Sequence, residues 1–381
     1  MTTLLVLGLL SLATGSSSSA DNQEKAAKAQ PGAELPKELL PKLFTMQGKD
    51  LEAPKVLAEL AKQTGNAVED RRRMKEDTKL KLDLKKASFW QALDAIAKEA
   101  DAKVSLYERD GKLALVDGPY VAMPVSYNGL FRVAVKRIDI SRILDTDAHT
   151  CIVTMEVAWE PRFQPLLMET QPDSLEIRDD KGRSIAVPEG GKGKGAVGHR
   201  NVGEIQLRVP APQRSANQLA LLKGKLAVVG PTEMLTFTFD KLGKINKREQ
   251  ERKESQKGVT LRLRELRPEQ EGEESIWAAG LTLEYPVEGP KFESFQSWLL
   301  NNEFYLEKEK DGVRIRFPAY GSEYEPGDDN DNRAAVRYHF GDQPDKNQVL
   351  GDISDWKLVY RTPGKITEVP IPFEFKDLDL P

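Results

Sequence analysis

Hydrophobic and polar positions follow a regular period over residues 80–104, which read LKLDLKKASFWQALDAIAKEADAKV. Leu80, Leu82 and Leu84 alternate with charged residues, the pattern of a strand with one buried face. Ser88 and Gln91 then have the spacing of a capping box, which marks the start of a helix. The apolar positions that follow recur on one helical face: Trp90, Leu93, Ile96, Ala97 and Ala100. This stretch therefore predicts a strand followed by an amphipathic helix.

The same pattern occurs earlier in the chain. Residues 57–68, LAELAKQTGNAV, match residues 93–104, LDAIAKEADAKV, at an offset of 36. Pro54 suits the first helical turn, and Gly65 suits the end of the helix. With a preceding strand near residues 43–46, residues 42–118 predict a small α+β domain made of two strand–helix–strand halves.

A hairpin closes this unit, in the stretch SLYERDGKLALV. The turn at Asp110–Gly111 separates two alternating strands. We expect this hairpin to lie at the edge of its sheet, with Glu108 and Lys112 pointing outward, and to accept a strand from a partner through main-chain hydrogen bonds. On that expectation, Ala114→Pro disturbs the edge without unfolding the domain.

On these elements, residues 42–118 resemble the short N-terminal domain shared by secretins and TonB-dependent receptors. The resemblance covers about a fifth of the chain. It implies a periplasmic location and protein–protein contacts. Those proteins continue into a secretin pore or a β-barrel, whereas the rest of this chain reads as soluble β-rich material, so neither pore nor receptor function is implied.

Residues 125–242 and 258–381 show strand patterns that recur in the same order. The motif AWEP of the first segment corresponds to LEYP of the second, and IRDDKGRSIAVP of the first corresponds to KEKDGVRIRFP of the second. At their ends, three apolar residues of the first segment match three of the second: Phe237, Phe239 and Leu242 with Phe373, Phe375 and Leu378. We predict two tandem immunoglobulin-like β-sandwich domains. The run 243–257 between them predicts a solvated linker or a short exposed helix.

The N-terminus carries an apolar stretch, Leu4–Ala13, of about half the length that a membrane span needs. Small residues follow as far as Ala20. These features predict a signal peptide over 1–20, a flexible tether over 21–41 and an extracytoplasmic location, periplasmic or secreted. No later segment is long and apolar enough to predict a transmembrane helix.

Composition narrows the partner classes. The chain has 381 residues and a net charge of −4, which argues against a nucleic-acid binder. The single cysteine, Cys151, excludes an internal disulfide. It lies in an apolar strand pattern and is predicted to be a buried residue rather than a catalytic thiol partnered by His149.

Two short motifs suggest chemistry but fit it poorly. Residues 193–198, GKGAVG, satisfy the dinucleotide-binding pattern, but a strand rather than a helix follows, so a loop between strands is expected. Residues 327–332, GDDNDN, contain clustered oxygens suited to calcium, but Arg333 and His339 replace the turn glycine and terminal glutamate of an EF-hand, which favours a solvated loop. We predict no catalytic, cofactor-binding or metal-binding residues.

The loop WEPRFQPLL, residues 159–167, is the candidate interaction site. Trp159, Arg162 and Phe163 are of the types enriched at binding hot spots. The alternative, which we favour, is that Trp159 fills the sandwich core and Phe163 covers its end.

Together these patterns predict an exported, non-catalytic envelope protein that acts as a protein–protein interaction or scaffold module, with an envelope protein of unknown identity as its partner. The alternative is a carbohydrate- or cell-wall-binding protein that uses aromatic residues of the sandwiches. An enzyme with an unfamiliar site is a third possibility, which the absence of an assembled set of acid, base, nucleophile or metal ligands disfavours.

Overall fold

Strands make up most of the chain, which confirms a mostly β protein with several sheets. The computed structural model describes ten stretches: residues 36–73, 79–108, 111–187, 193–198, 200–244, 251–271, 274–286, 302–325, 332–342 and 349–381. All of them belong to one compact unit. The predicted signal peptide and most of the predicted tether lie outside the described residues.

As far as the structure describes it, the N-terminal region contains two α-helices and five strands. Their bounds are β1 Phe44–Glu52, α1 Ala53–Thr64, β2 Glu69–Asp70, β3 Lys79–Ala87, α2 Phe89–Glu99, β4 Lys103–Ser105 and β5 Ala114–Val116. The order strand–helix–strand therefore occurs twice. Ser88 and Gln91 form the predicted capping box at the start of α2, and Gly65 ends α1 in the left-handed conformation.

Two small sheets and the two helices enclose one core. β1 and β3 pair antiparallel, and a second sheet has the order β2–β5–β4. Trp90 of α2 is fully buried, and its indole N–H donates to the Leu130 carbonyl at 2.9 Å. This bond ties the helix to the segment that enters the following β-rich region.

The hairpin strand that carries Ala114, β5, is not an edge strand, whereas the other strand of the hairpin, β4, does lie at the edge of its sheet. β5 lies between β2 and β4, so Ala114 is on a central strand. Lys112 forms an ion pair with Glu69 at 2.5 Å, and Glu108 forms one with Arg71 at 2.5 Å. The prediction failed because the order of strands depends on the two-residue strand β2, whose sequence carries no alternating pattern.

The described residues of the first repeat contribute eight strands. They are β6 Val125–Asn128, β7 Phe131–Ile143, β8 Ala148–Trp159, β9 Leu167–Glu169, β10 Ser174–Asp179, β11 Lys194–Ala196, β12 Val202–Pro210 and β13 Gln218–Phe239. Four of them form a sheet in the order β12–β8–β7–β6.

The second repeat also contributes eight described strands. They are β14 Arg252–Gln256, β15 Val259–Glu271, β16 Glu274–Glu284, β17 Glu303–Lys310, β18 Val313–Pro318, β19 Gly321–Tyr324, β20 Arg333–Phe340 and β21 Lys357–Asp379. Five of them form a sheet in the order β14–β15–β16–β20–β19. Apart from β19, this order matches that of the first repeat strand for strand.

The long strands β13 and β21 join the repeats into one seven-stranded sheet. Phe237 pairs with Tyr360, and Phe373 pairs with Gly224. The matched residues Phe237 and Phe373 lie 136 positions apart, as do Gly224 and Tyr360. The pairing is therefore related by a local two-fold axis, and each repeat supplies half of its last strand to the other repeat. Phe237 and Phe239 accordingly belong to the buried core of the second repeat.

The charged run 243–257 is not simply a linker or a helix. Its last part forms β14, which pairs with β15 across the turn Lys257–Gly258, where both residues have positive φ. The prediction was wrong for residues 252–256 because an edge strand of this sheet carries mostly polar side chains. Residues 245–250 lie outside the described residues.

Candidate functional site

A shallow, open groove of about 630 Å³ follows strand β3. Residues 83–87 of β3 form one wall, and one side of helix α2 contributes the exposed Gln91 and Lys98 and the buried Asp94. Tyr120 and Tyr127 line it from the segment that leads into β6 and from β6 itself. The groove is therefore built where the α+β region meets the first repeat.

Strand β3 presents an open main-chain edge in this groove. In the described part of the chain it pairs with β1 alone, although it is nine residues long. Its Leu80 and Leu82 are buried, which fixes the strand against the core. Among the described residues no strand pairs with the other edge of β3, so its N–H and C=O groups are those that an added strand would use.

The groove is positively charged. Lys85, Lys86 and Lys98 are exposed, and no ion pair joins them to a carboxylate among the described residues. Asp94 is paired with Arg132, whereas Asp83 accepts a hydrogen bond from the neutral Gln47 amide and keeps its charge, so three ammonium groups face one carboxylate without a cationic partner. The ammonium groups therefore set the electrostatic potential that a ligand meets.

Two hydrogen-bond donors fix Asp94 in place. Arg132 Nε donates to Asp94 Oδ2 at 2.9 Å, and the Tyr127 hydroxyl donates to the same oxygen at 2.6 Å. Burial, followed by the charge of Asp94, raises the pKa of Tyr127, so its phenol stays protonated and keeps donating. The arrangement makes Tyr127 a rigid wall of the groove.

The same network continues into the first repeat. Arg132 Nη1 lies 3.5 Å from Glu156 Oε1, and Lys136 Nζ lies 3.4 Å from Glu156 Oε2. The Tyr107 hydroxyl donates to Glu156 Oε2 at 2.9 Å. Helix α2 and the hairpin β4–β5 are therefore both tied to strands β7 and β8 by charged groups.

The predicted interaction loop is placed differently. Trp159 is 0% exposed and Phe163 is 2% exposed, so the expectation that they are exposed was wrong. Their burial agrees with the alternative, in which Trp159 fills the core. Phe163 packs edge-to-face on Phe131, with 5.9 Å between the ring centroids. The pattern of aromatic, Arg and Pro residues does not distinguish a surface cluster from a corner of the core.

Arg162 is also mostly buried, and its hydrogen bonds hold neighbouring segments of the chain together. Its guanidinium donates to Glu160 at 2.5 Å and to the carbonyls of Glu38 and Leu40 at 2.7 and 2.6 Å. Its main-chain N–H donates to Asn66 Oδ1 at 3.0 Å. The end of the predicted tether, with a short 3₁₀ helix at 37–39, is therefore held against the folded chain.

Glu160 lies at the centre of this junction. Burial raises the pKa of its carboxyl, although Asn66 and Arg162 both donate hydrogen bonds to it. The hydrogen bonds of Glu160 with Asn66 and Arg162 consequently join the end of helix α1 to the end of β8. This junction offers no open surface.

The remaining candidate motifs contain no assembled chemistry. Of GKGAVG, residues 194–196 form strand β11 against β9, so the expected loop is partly a strand. Cys151 is buried as predicted, and burial raises the pKa of its thiol to about 11. The Asp/Asn loop lies outside the described residues except for Asn332, which donates a hydrogen bond to the Tyr285 carbonyl.

Among the described residues, no group of three or more His, Cys, Asp or Glu side chains is arranged to hold a metal ion. No helix in the described ranges has the length and apolar character needed to cross a membrane.

Comparisons with protein-family models, curated proteins and solved structures each found no match for this chain. The resemblance of residues 42–118 to the secretin and TonB-dependent receptor domain therefore stays a prediction, as does the immunoglobulin-like character of the two repeats.

Proposed function

We propose that this chain is an exported, non-catalytic envelope protein that acts as a protein–protein interaction or scaffold module. The observation that supports this most directly is the open edge of β3 within a positively charged groove. In the proposed complex, an extended segment of an envelope protein pairs with β3 through main-chain hydrogen bonds.

The side chains of the groove favour a partner segment rich in Asp and Glu. The ammonium groups of Lys85, Lys86 and Lys98 attract carboxylates and exclude basic segments. Tyr127, held by Asp94, offers a rigid aromatic surface that loses little conformational entropy on binding. Main-chain pairing then supplies affinity, and the lysines and tyrosines supply selectivity.

The other parts of the proposal rest on the sequence. The apolar N-terminal stretch supports export, and the resemblance of residues 42–118 supports an interaction role in the periplasm. Mass spectrometry of natively expressed protein is expected to show a new N-terminus near Ala20, whereas a retained Met1 on a cytoplasmic protein contradicts export.

Carbohydrate binding is the alternative function. A sugar platform on a sandwich needs several exposed aromatic residues on one face. In the described part of the second repeat, Tyr320 and Tyr324 are exposed at 44% and 41%, beside the edge strand β19 and on it. A sugar platform requires three or more exposed aromatic residues on one face, and these two tyrosines at one edge do not reach that number. Protein binding is therefore preferred.

A pull-down from envelope extract tests the proposal. The groove variant reverses three charges, Lys85→Glu, Lys86→Glu and Lys98→Glu, while the matched control reverses three exposed lysines elsewhere, Lys310, Lys357 and Lys365. We expect wild type and control to retain the same partner and the groove variant to lose it. Equal retention by both variants, each with the wild-type melting temperature, contradicts the groove as the binding site.

A further inference from the structure

The edge strand β12 of the first repeat has no neighbour on one side. It is nine residues long and pairs with β8 alone among the described strands. Ile205, Leu207 and Val209 are buried, while Glu204, Gln206 and Arg208 alternate with them on the exposed face. This is a regular, uninterrupted edge, which isolated folded chains usually blunt.

The second repeat shows how the equivalent edge is covered by a further strand. Its equivalent strand is β20, since Ala158 pairs with Val202 in the first repeat and Glu284 pairs with Arg333 in the second. β20 alternates in the same way over residues 336–340, and its outer edge is covered by the antiparallel strand β19. The first repeat lacks this fifth strand in the described part of the chain.

The main-chain groups of β12 point outward at the even-numbered positions. Trp159 N–H donates to the Asn201 carbonyl, and Ala211 N–H donates to the His149 carbonyl, so the odd-numbered residues of this strand face β8. Glu204, Gln206 and Arg208 therefore direct their N–H and C=O groups to the open edge. In β20 the His339 carbonyl, at the position equivalent to Arg208, accepts from Tyr320 N–H.

We propose that the missing strand is β12 of a second copy of this chain. Antiparallel pairing about a two-fold axis at Gln206 places Glu204 of each copy opposite Arg208 of the other. The backbone groups that face outward then form about six main-chain hydrogen bonds across the axis. The same register places two opposite-charge pairs on the exposed face, where each stabilises the cross-strand contact.

The buried face is also compatible with this register. Ile205 of one copy lies opposite Leu207 of the other, so apolar residues continue across the junction. Pro210 lacks an N–H group and limits the pairing to the middle of the strand. The result is one eight-stranded sheet formed by the four-stranded sheets of two first repeats.

Sedimentation velocity of the full chain over a range of concentrations tests the dimer. We expect a species of twice the chain mass that dissociates on dilution. Gln206→Pro removes an outward N–H that the ladder with β8 does not use, so the fold is retained and dimerisation is expected to weaken at least about tenfold.

Charge exchange tests the register. Glu204→Arg and Arg208→Glu each place like charges opposite one another and are expected to weaken the dimer about tenfold or more. The double variant restores both opposite-charge pairs and is expected to regain the wild-type dissociation constant within about threefold.

Three outcomes overturn the proposal. They are a wild-type chain that stays monomeric at the highest concentration, a dimer unaffected by Gln206→Pro, and a double variant that is weaker than both singles while remaining folded. None of these measurements involves the β3 groove, so failure here leaves the proposed partner binding untouched, and failure of partner binding leaves the dimer untouched.

Discussion

At the scale of single residues, the guanidinium of Arg132 lies between two buried carboxylates, those of Asp94 and Glu156. Arg132→Ala leaves both carboxylates without this partner in a region of low dielectric. We expect the free energy of unfolding in urea to fall by about 3–5 kcal/mol. Arg137→Ala, which removes an exposed ion pair with Asp139, is the control and is expected to cost less than about 1 kcal/mol. Equal effects of the two substitutions would show that the buried network does not hold α2 to the first repeat.

Cys151 provides a pH-dependent test of burial at the same scale. Burial raises its thiol pKa from the ordinary value to about 11, so a thiolate forms only at strongly alkaline pH in the folded protein. We expect no reaction with a thiol reagent at pH 8 over the time in which the urea-unfolded chain reacts fully. A folded protein that reacts as fast as the unfolded one contradicts the buried placement.

Residue environments were predictable where a periodic pattern surrounds the residue. Trp90 follows a capping box and begins an apolar helical face, so its burial could be expected. Trp159 and Phe163 lie at a corner where the intervening Arg162 is held by Asn66 and Glu38, residues about a hundred positions away. No local pattern carries that information.

At the scale of elements, the position of β5 in the middle of its sheet changes the expected effect of Ala114→Pro. The substitution removes a main-chain donor from a strand that has neighbours on both sides. We therefore expect a loss of stability of about 1–3 kcal/mol, measured by thermal or urea unfolding. Gln206→Pro on the open edge of β12 is the matched control and is expected to be nearly neutral when both variants are measured at a concentration at which the chain is monomeric. An Ala114→Pro variant with the stability of the wild type would indicate that β5 is an edge strand.

Helices and long alternating strands were the elements best predicted from sequence. The start of α2 at Phe89 follows directly from Ser88 and Gln91, because a capping box is a local hydrogen-bonding signal. The short strands β2 and β14 were missed, since neither has a hydrophobic alternation of its own. The groove along β3 was missed for a related reason: whether a strand edge is open depends on pairing across the whole sheet.

At the scale of the whole molecule, the shared sheet makes the two repeats dependent on each other. Phe237 and Phe239 of β13 lie in the core of the second repeat, and the far half of β21 pairs with the first repeat. Residues 258–381 alone therefore lack part of their core. We expect that fragment to show no cooperative thermal transition, whereas residues 125–381 retain one. A sharp transition in the shorter fragment contradicts the shared core.

The internal repeat was visible in the sequence, but its consequence for the fold was not. Matching residues such as Phe237 and Phe373 predict two similar halves, and the strand orders of the two halves agree. Sequence similarity between repeats does not specify whether each half closes on itself or exchanges a strand with the other. The local two-fold pairing of β13 with β21 is settled by long-range register, which depends on both halves at once.

The proposal for the molecule as a whole is that an extended partner segment pairs with β3. Hydrogen exchange of the full chain, followed by mass spectrometry with and without the captured partner, tests it most directly. We predict slower amide exchange in residues 79–87 of the complex, together with unchanged exchange in β12. Unchanged exchange in residues 79–87, with protection appearing on another surface, would contradict strand addition at this groove.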